Sequence, residues 1–298
     1  MMTQAQIVDV MENCAQLPYL SPSDQTLIDL VGSWDTFDVN SFAEELAKHD
    51  DLLPLVRQQA YRFLPRADTS SLRDALVILG AKSLRNILLY SIIRRFFSRE
   101  DTCRGAGCVF DLKDHWLYVL GVSAATELLA DRVGRSDGFR LFSYALLLDI
   151  GILAMGRYLP EVLDEIYRQC VAGVPPVVAE KIAMGGLTHA DIGGWLCQRW
   201  ELPDDVVQLV KHHHSCVCAT CPCEELWILS IADEIATEYH YALLGINPVA
   251  HRIDERILRP LGLTREDVEE IGGLLPERVE SIREVTLAWT EEAVLPNA

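Results

Sequence analysis

Apolar residues recur at steps of three and four along almost the whole chain, and sustained alternation of the strand kind is missing. That spacing predicts an all-α fold. In the N-terminal third, SLRDALVILGAKSLRNILLYSIIRRFF reads as a helix ending near Gly80 followed by a longer one. The Gly-rich, charged stretch SREDTCRGAGCVFDLK, from Ser98 to Lys113, reads as a loop between two halves. The second half opens with HWLYVLGVSAATELLADRV and continues with FRLFSYALLLDIGILAMGRYL, apolar almost all round and so expected as one helix at the centre of a domain. Asp149 stands in the middle of it. An uncompensated carboxylate there costs several kcal/mol, on the order of the penalty for any buried charge, so a cation, a metal or several donors must face it.

Charge excludes some partners. With 26 basic and 44 acidic residues the formal net charge is −18, which repels nucleic acid and anionic membranes over most of the surface. A local exception runs from Leu84 to Arg104, where Arg85, Arg94, Arg95, Arg99 and Arg104 suit a small anionic ligand or an acidic partner surface, or simply form a solvated helix end. The first twenty residues lack the pattern of a secretory signal, and no run of eighteen apolar residues occurs, so a cytoplasmic protein is expected.

In a reducing compartment an odd count of nine cysteines argues against a disulfide framework. Four of them, Cys216, Cys218, Cys221 and Cys223, fall in HHHSCVCATCPC. Thiolates so close in sequence can surround one tetrahedral zinc ion that pins the loop, with His214 as an alternative ligand. Incidental thiols, a redox-sensitive pair at Cys218 and Cys221, or an iron–sulfur cluster are the other readings.

Helical spacing directs further polar groups inward. Val206, Val210 and His213 share one face, with His212 beside them; Leu226, Leu229, Asp233 and Ala236 share another. His189 lies in the first turn of a helix capped by Thr188 and Asp191. Singly, each is most simply a hydrogen-bonded core residue. Together, Asp149, His189, His212 or His213, and Asp233 are the donor types of a hydrolytic Mn, Fe, Zn or Mg centre.

The order LPYLSPSDQTLIDLV, LRDALVILGAKSLRNILL, LLLDIGILAMGRYLPEVL, GGLTHADIGGWLCQRWELPDDVVQLVKHHH and LSIADEIA resembles the HDOD family, output-domain relatives of the HD phosphohydrolases and HD-GYP phosphodiesterases. The similarity runs from about Leu17 to Ala236. It implies an HD-like multi-helix bundle of bacterial origin that works in signal transduction: an N-terminal helical subdomain (1–100), an HD-like core (110–245) and extra C-terminal helices (246–298).

Two departures from the catalytic pattern set the expected mechanism. Where catalytic HD proteins carry a His-Asp doublet this chain has Leu148-Asp149, and the earlier histidine position, two residues after Trp116, is Tyr118. The first metal of an HD centre would keep only Asp149 and Asp233, so no catalytic metal and no phosphodiesterase activity are expected. A residual site of Asp149, His189, His212 and His213 stays chemically open, against a plain hydrogen-bond network in which Asp149 accepts from His189 or His213. The leading expectation is a non-catalytic module that binds a protein partner, supplied in trans, or a small ligand; the competing one is a metal-dependent phosphohydrolase acting on a nucleotide or cyclic dinucleotide.

Overall fold

A computed structural model describes residues 2–13, 26, 39–50, 52–63, 71–80, 84, 112–216, 223–239 and 253–292. The basic stretch from Arg85 to Arg104, Cys103, Cys108, Cys218 and Cys221 lie outside the described residues. All regular elements among the described residues are helices, as the apolar spacing predicts. In chain order they are α1 (Gln4–Asn13), α2 (Val39–Leu46), α3 (Leu52–Phe63), α4 (Leu112–Arg132), α5 (Gly138–Ala145), α6 (Ile150–Tyr158) and α7 (Pro160–Val171). There follow α8 (Pro176–Ala183), α9 (His189–Arg199), α10 (Asp204–His212), α11 (Glu224–Tyr239), α12 (Glu255–Leu258) and α13 (Arg265–Glu292).

The chain forms two compact units, Met1–Leu17 with Phe97–Glu280, and Pro18–Phe96 with Ser281–Ala298. The second holds α2, α3 and a helical stretch over residues 72–80, with Phe42, Leu46, Leu52, Val56 and Leu76 buried. The first is larger than the expected 110–245 core, because both flanks supply apolar faces to it. From α1 come Ile7 and Met11, and the Met2 amide donates to the Ala183 carbonyl at 3.0 Å. From the C-terminal helices come Ile257, Leu258, Ile271, Leu275 and Val279, with Arg278 bonded to buried Glu127 of α4 at 2.6 Å.

Within this unit α4 packs against α5 and α11, α9 against α6 and α10, and α7 against α8. Local chemistry sets the breaks. Pro160 and Pro176 open α7 and α8 at positions where a missing N–H costs nothing. Gly185 and Gly186, at φ 63° and 103°, turn the chain out of α8 in a backbone region that favours glycine. Asp191 then accepts from the Thr188 amide and hydroxyl at 2.9 and 3.0 Å, which starts α9.

The expected single helix through FRLFSYALLLDIGILAMGRYL is in fact two. It breaks at a turn over residues 146–149, and Asp149 (φ −99°, ψ 20°) takes the cap position of α6 without spending its carboxylate on the helix amides. Arg140–Tyr158 has the length and hydropathy of a membrane-crossing segment, yet 78% of that window is buried inside the protein. Gly151 explains how α6 reaches its neighbour: a Cβ there would lie 2.0 Å from the His189 carbonyl oxygen, so only glycine permits the contact with α9.

Candidate metal centre

That close crossing sets Asp149 and His189 face to face. The His189 Nε2 is 3.1 Å from Asp149 Oδ1, and both side chains are buried. His213, which caps the C-terminal end of α10, points in with its Nε2 3.3 Å from His189 Nε2 and 3.9 Å from Asp149 Oδ1. The third imidazole is His214, not His212. Its Nε2 is 3.0 Å from His189 Nε2 and its Nδ1 3.6 Å from Asp233 Oδ2, while half-buried His212 turns its Nδ1 to the Ser215 hydroxyl at 3.4 Å instead. Helical spacing places His213 inward as found but does not reach His214: α10 ends at His212, and the following turn brings the His214 ring against His189 although the residue is exposed.

One atom from each of Asp149, His189, His213 and His214 lies within 4.8 Å of every other. Four ligands at zinc–nitrogen distances would be about 3.3 Å apart along the edges of a tetrahedron. The three contacts of His189 Nε2, at 3.0, 3.1 and 3.3 Å, are close to that. Hydrogen bonding on the far side of the rings also suits a cation. The His213 Nδ1 donates to the Val210 carbonyl at 2.7 Å, and His189 Nδ1 faces Glu180 Oε1 at 2.7 Å. Each ring therefore keeps its Nδ1 proton, and both Nε2 atoms turn toward the shared space. The residues present fit a single ion.

Glu180 is absent from the sequence reading. It is buried on α8, between Ala179 and Ala183 on the inward face, and its second oxygen takes the His189 backbone amide at 2.9 Å. In the absence of an ion the cluster is held by protons. Burial works against the charged form of His189, but Glu180 and Asp149 on either side raise its pKa well above 6.5. Burial likewise opposes ionisation of Asp149, and the bond from His189 together with the nearby rings outweighs it, holding the carboxyl far below its usual range.

Beyond His214 lies Asp233, buried on α11, with the Tyr118 hydroxyl of α4 donating to its Oδ1. The same hydroxyl is 3.3 Å from Thr237 Oγ1. Burial, reinforced by the charge of Asp149, pushes Asp233 up to about 8, so it carries a proton at neutral pH. Leu148 is completely buried and offers no donor. His115, one turn before Tyr118, is buried beside them, and apolar spacing does not single it out because α4 is covered on more than one face there. Of the four loop cysteines, Cys216 is buried and Cys223 is partly exposed.

Burial lowers His115 and His213 to about 4, against the opposing pull of Asp149. Between pH 6.5 and 4 the unfolded chain takes up protons that these two folded-state rings refuse. Their contribution is complete above 6.5 and is lost as pH falls toward 4, by at most about 1.4 kcal/mol per pH unit for each ring. Denaturant unfolding of metal-free protein across that range should show a shallower loss in His115→Gln than in the parent.

Residues 51–216, more than half of the chain, match the HDOD domain. The chain belongs to the HDOD family. A protein of Treponema pallidum with no assigned function is 27% identical over 227 residues, which is 71% of this chain and 39% of that protein, so the chain spans about two fifths of the relative's length. Among solved structures, an HDOD-domain protein of unknown function from Geobacter sulfurreducens superposes with a TM-score of 0.73 at 19% identity, covering 95% of this chain and 99% of that one. A candidate signal-transduction protein of Marinobacter aquaeolei gives 0.75 at 18%, covering 94% of this chain and 64% of that one. A candidate phosphohydrolase of Shewanella amazonensis gives 0.61 at 24%, covering 91% and 98%. At these identities the likeness establishes the fold that this HDOD chain shares with all three.

Proposed function

We propose that this HDOD protein is a non-catalytic signal-transduction module that acts by binding a protein partner, and that its HD-like core holds a single, closed metal ion. The observation that carries this is the bond from Tyr118 to Asp233. The first metal of a hydrolytic HD centre needs that carboxylate, and here burial holds it protonated at neutral pH and it is bonded to a phenol, while Leu148 and Tyr118 stand where its two imidazole donors would be. An ion held by Asp149, His189, His213 and His214 would be fully coordinated, and closed four-ligand sites are structural. The chain's own residues would lock α6, α9 and the end of α10 together, and present that frame to a partner in the cytoplasm. The family and the fold shared with a candidate signal-transduction protein support the regulatory half of this reading.

The second reading is a phosphohydrolase working on a nucleotide or cyclic dinucleotide through the same four residues. It is favoured by one fact: the His214 side chain is 27% exposed, the least covered of the donors, so it could swing away and open a position. Assays with a cyclic dinucleotide and a nitrophenyl phosphodiester, in Mn²⁺, Fe²⁺ and Zn²⁺, separate the two. We expect no rate above the metal-only blank; turnover that disappears in Asp149→Ala would overturn the first reading and establish the second. Zinc in the cysteine loop is a separate proposal. Elemental analysis with and without the four loop cysteines tests it, since loop metal vanishes with them and core metal persists.

A further inference from the structure

We propose that Glu180 is the positioning residue of the Asp149, His189, His213 and His214 centre, fixing His189 so that its Nε2 alone faces the ion. This rests on the single-ion reading and extends it to a residue outside the ligand set. The geometry is that of a clamp: one carboxylate oxygen is 2.7 Å from His189 Nδ1 and the other 2.9 Å from the backbone amide of the same residue. Ring and main chain are therefore held by one side chain, in a buried position from which water is excluded. A carboxylate behind a ligating imidazole selects its tautomer, sets its orientation and makes its free nitrogen a better donor. The amide it satisfies is the first of α9, a group that no helical carbonyl can reach. Through this bond α8, which contributes no ligand, becomes part of the centre.

The test uses the full chain with Cys216, Cys218, Cys221 and Cys223 replaced by serine, so that thiols do not compete, and Co²⁺ as a visible probe with Zn²⁺ in competition. Glu180→Gln keeps an acceptor for one of the two bonds and removes the charge. It should raise the Kd for both ions about 10- to 100-fold, while Lys181→Gln, exposed on the same helix, should leave Kd within about twofold of the parent. A purely packing role would lower resistance to denaturant and leave the Kd of the folded protein unchanged, and that result overturns the assignment of Glu180. If the parent itself takes up no ion, the centre and the assignment both fall. Should Glu180→Gln fail to fold, nitrogen NMR of the metal-loaded parent decides: His189 protonated at Nδ1 and bound through Nε2 supports the proposal, and binding through Nδ1 overturns it.

Discussion

Gly151→Ala should destabilise the protein by about 3 kcal/mol, the upper end of what overpacking usually costs. The added methyl would meet the His189 carbonyl oxygen at 2.0 Å, with the His189 carbonyl carbon and the Gly193 amide nitrogen at 2.8 and 2.9 Å. All three are main-chain atoms that cannot rotate away. Relief requires α6 and α9 to separate, which draws His189 off Asp149. A thermal scan should show a fall of about 5–10 °C, together with weaker uptake of metal by the core. Gly273→Ala is the control: nothing lies within 4 Å of its Cβ, and in the interior of α13 alanine should be neutral or stabilise by up to about 1 kcal/mol. Equal melting of the two variants would mean that α6 and α9 are not pressed together as described.

Asp149→Ala should have a comparable effect on stability and a larger one on metal. In metal-free protein it removes one of the two carboxylates that hold His189 in its charged form, and breaking a buried pair costs about 3–5 kcal/mol. Glu180 remains on the other side of the ring and should keep the loss near the lower figure. Removing the only carboxylate among the four donors should abolish the core equivalent of metal. Denaturant unfolding in chelator measures the first effect, and elemental analysis after metal loading the second. Unchanged metal content would place any bound ion elsewhere in the chain.

How far the site was legible in the sequence depended on secondary structure. The all-α fold follows from apolar spacing, and that same spacing put Asp233 and His213 on inward faces. Where regular structure stops, the spacing stops being informative. His214 lies two residues past the end of α10, so its direction is set by a turn, and helical spacing, which put His213 inward with His212 beside it, said nothing of it. The turn over residues 146–149 was hidden because LLLDIG contains neither proline nor an obvious breaker ahead of Asp149. Glu180 was within reach, since it falls between Ala179 and Ala183 on the buried face of an amphipathic helix. A carboxylate at such a position asks for a partner, and the nearest histidine in sequence, His189, is that partner. No such pattern marks His115, because both faces of α4 are buried around it.

The central claim is that Tyr118 and Leu148 leave this HD-like core with one ion and no hydrolytic chemistry. The most direct test is the metal content per chain of protein lacking the four loop cysteines, after loading with Mn²⁺, Fe²⁺ or Zn²⁺ and removal of excess ion. One equivalent, lost in Asp149→Ala, is the predicted result. Two equivalents, or an ion bridging Asp149 and Asp233, would contradict it.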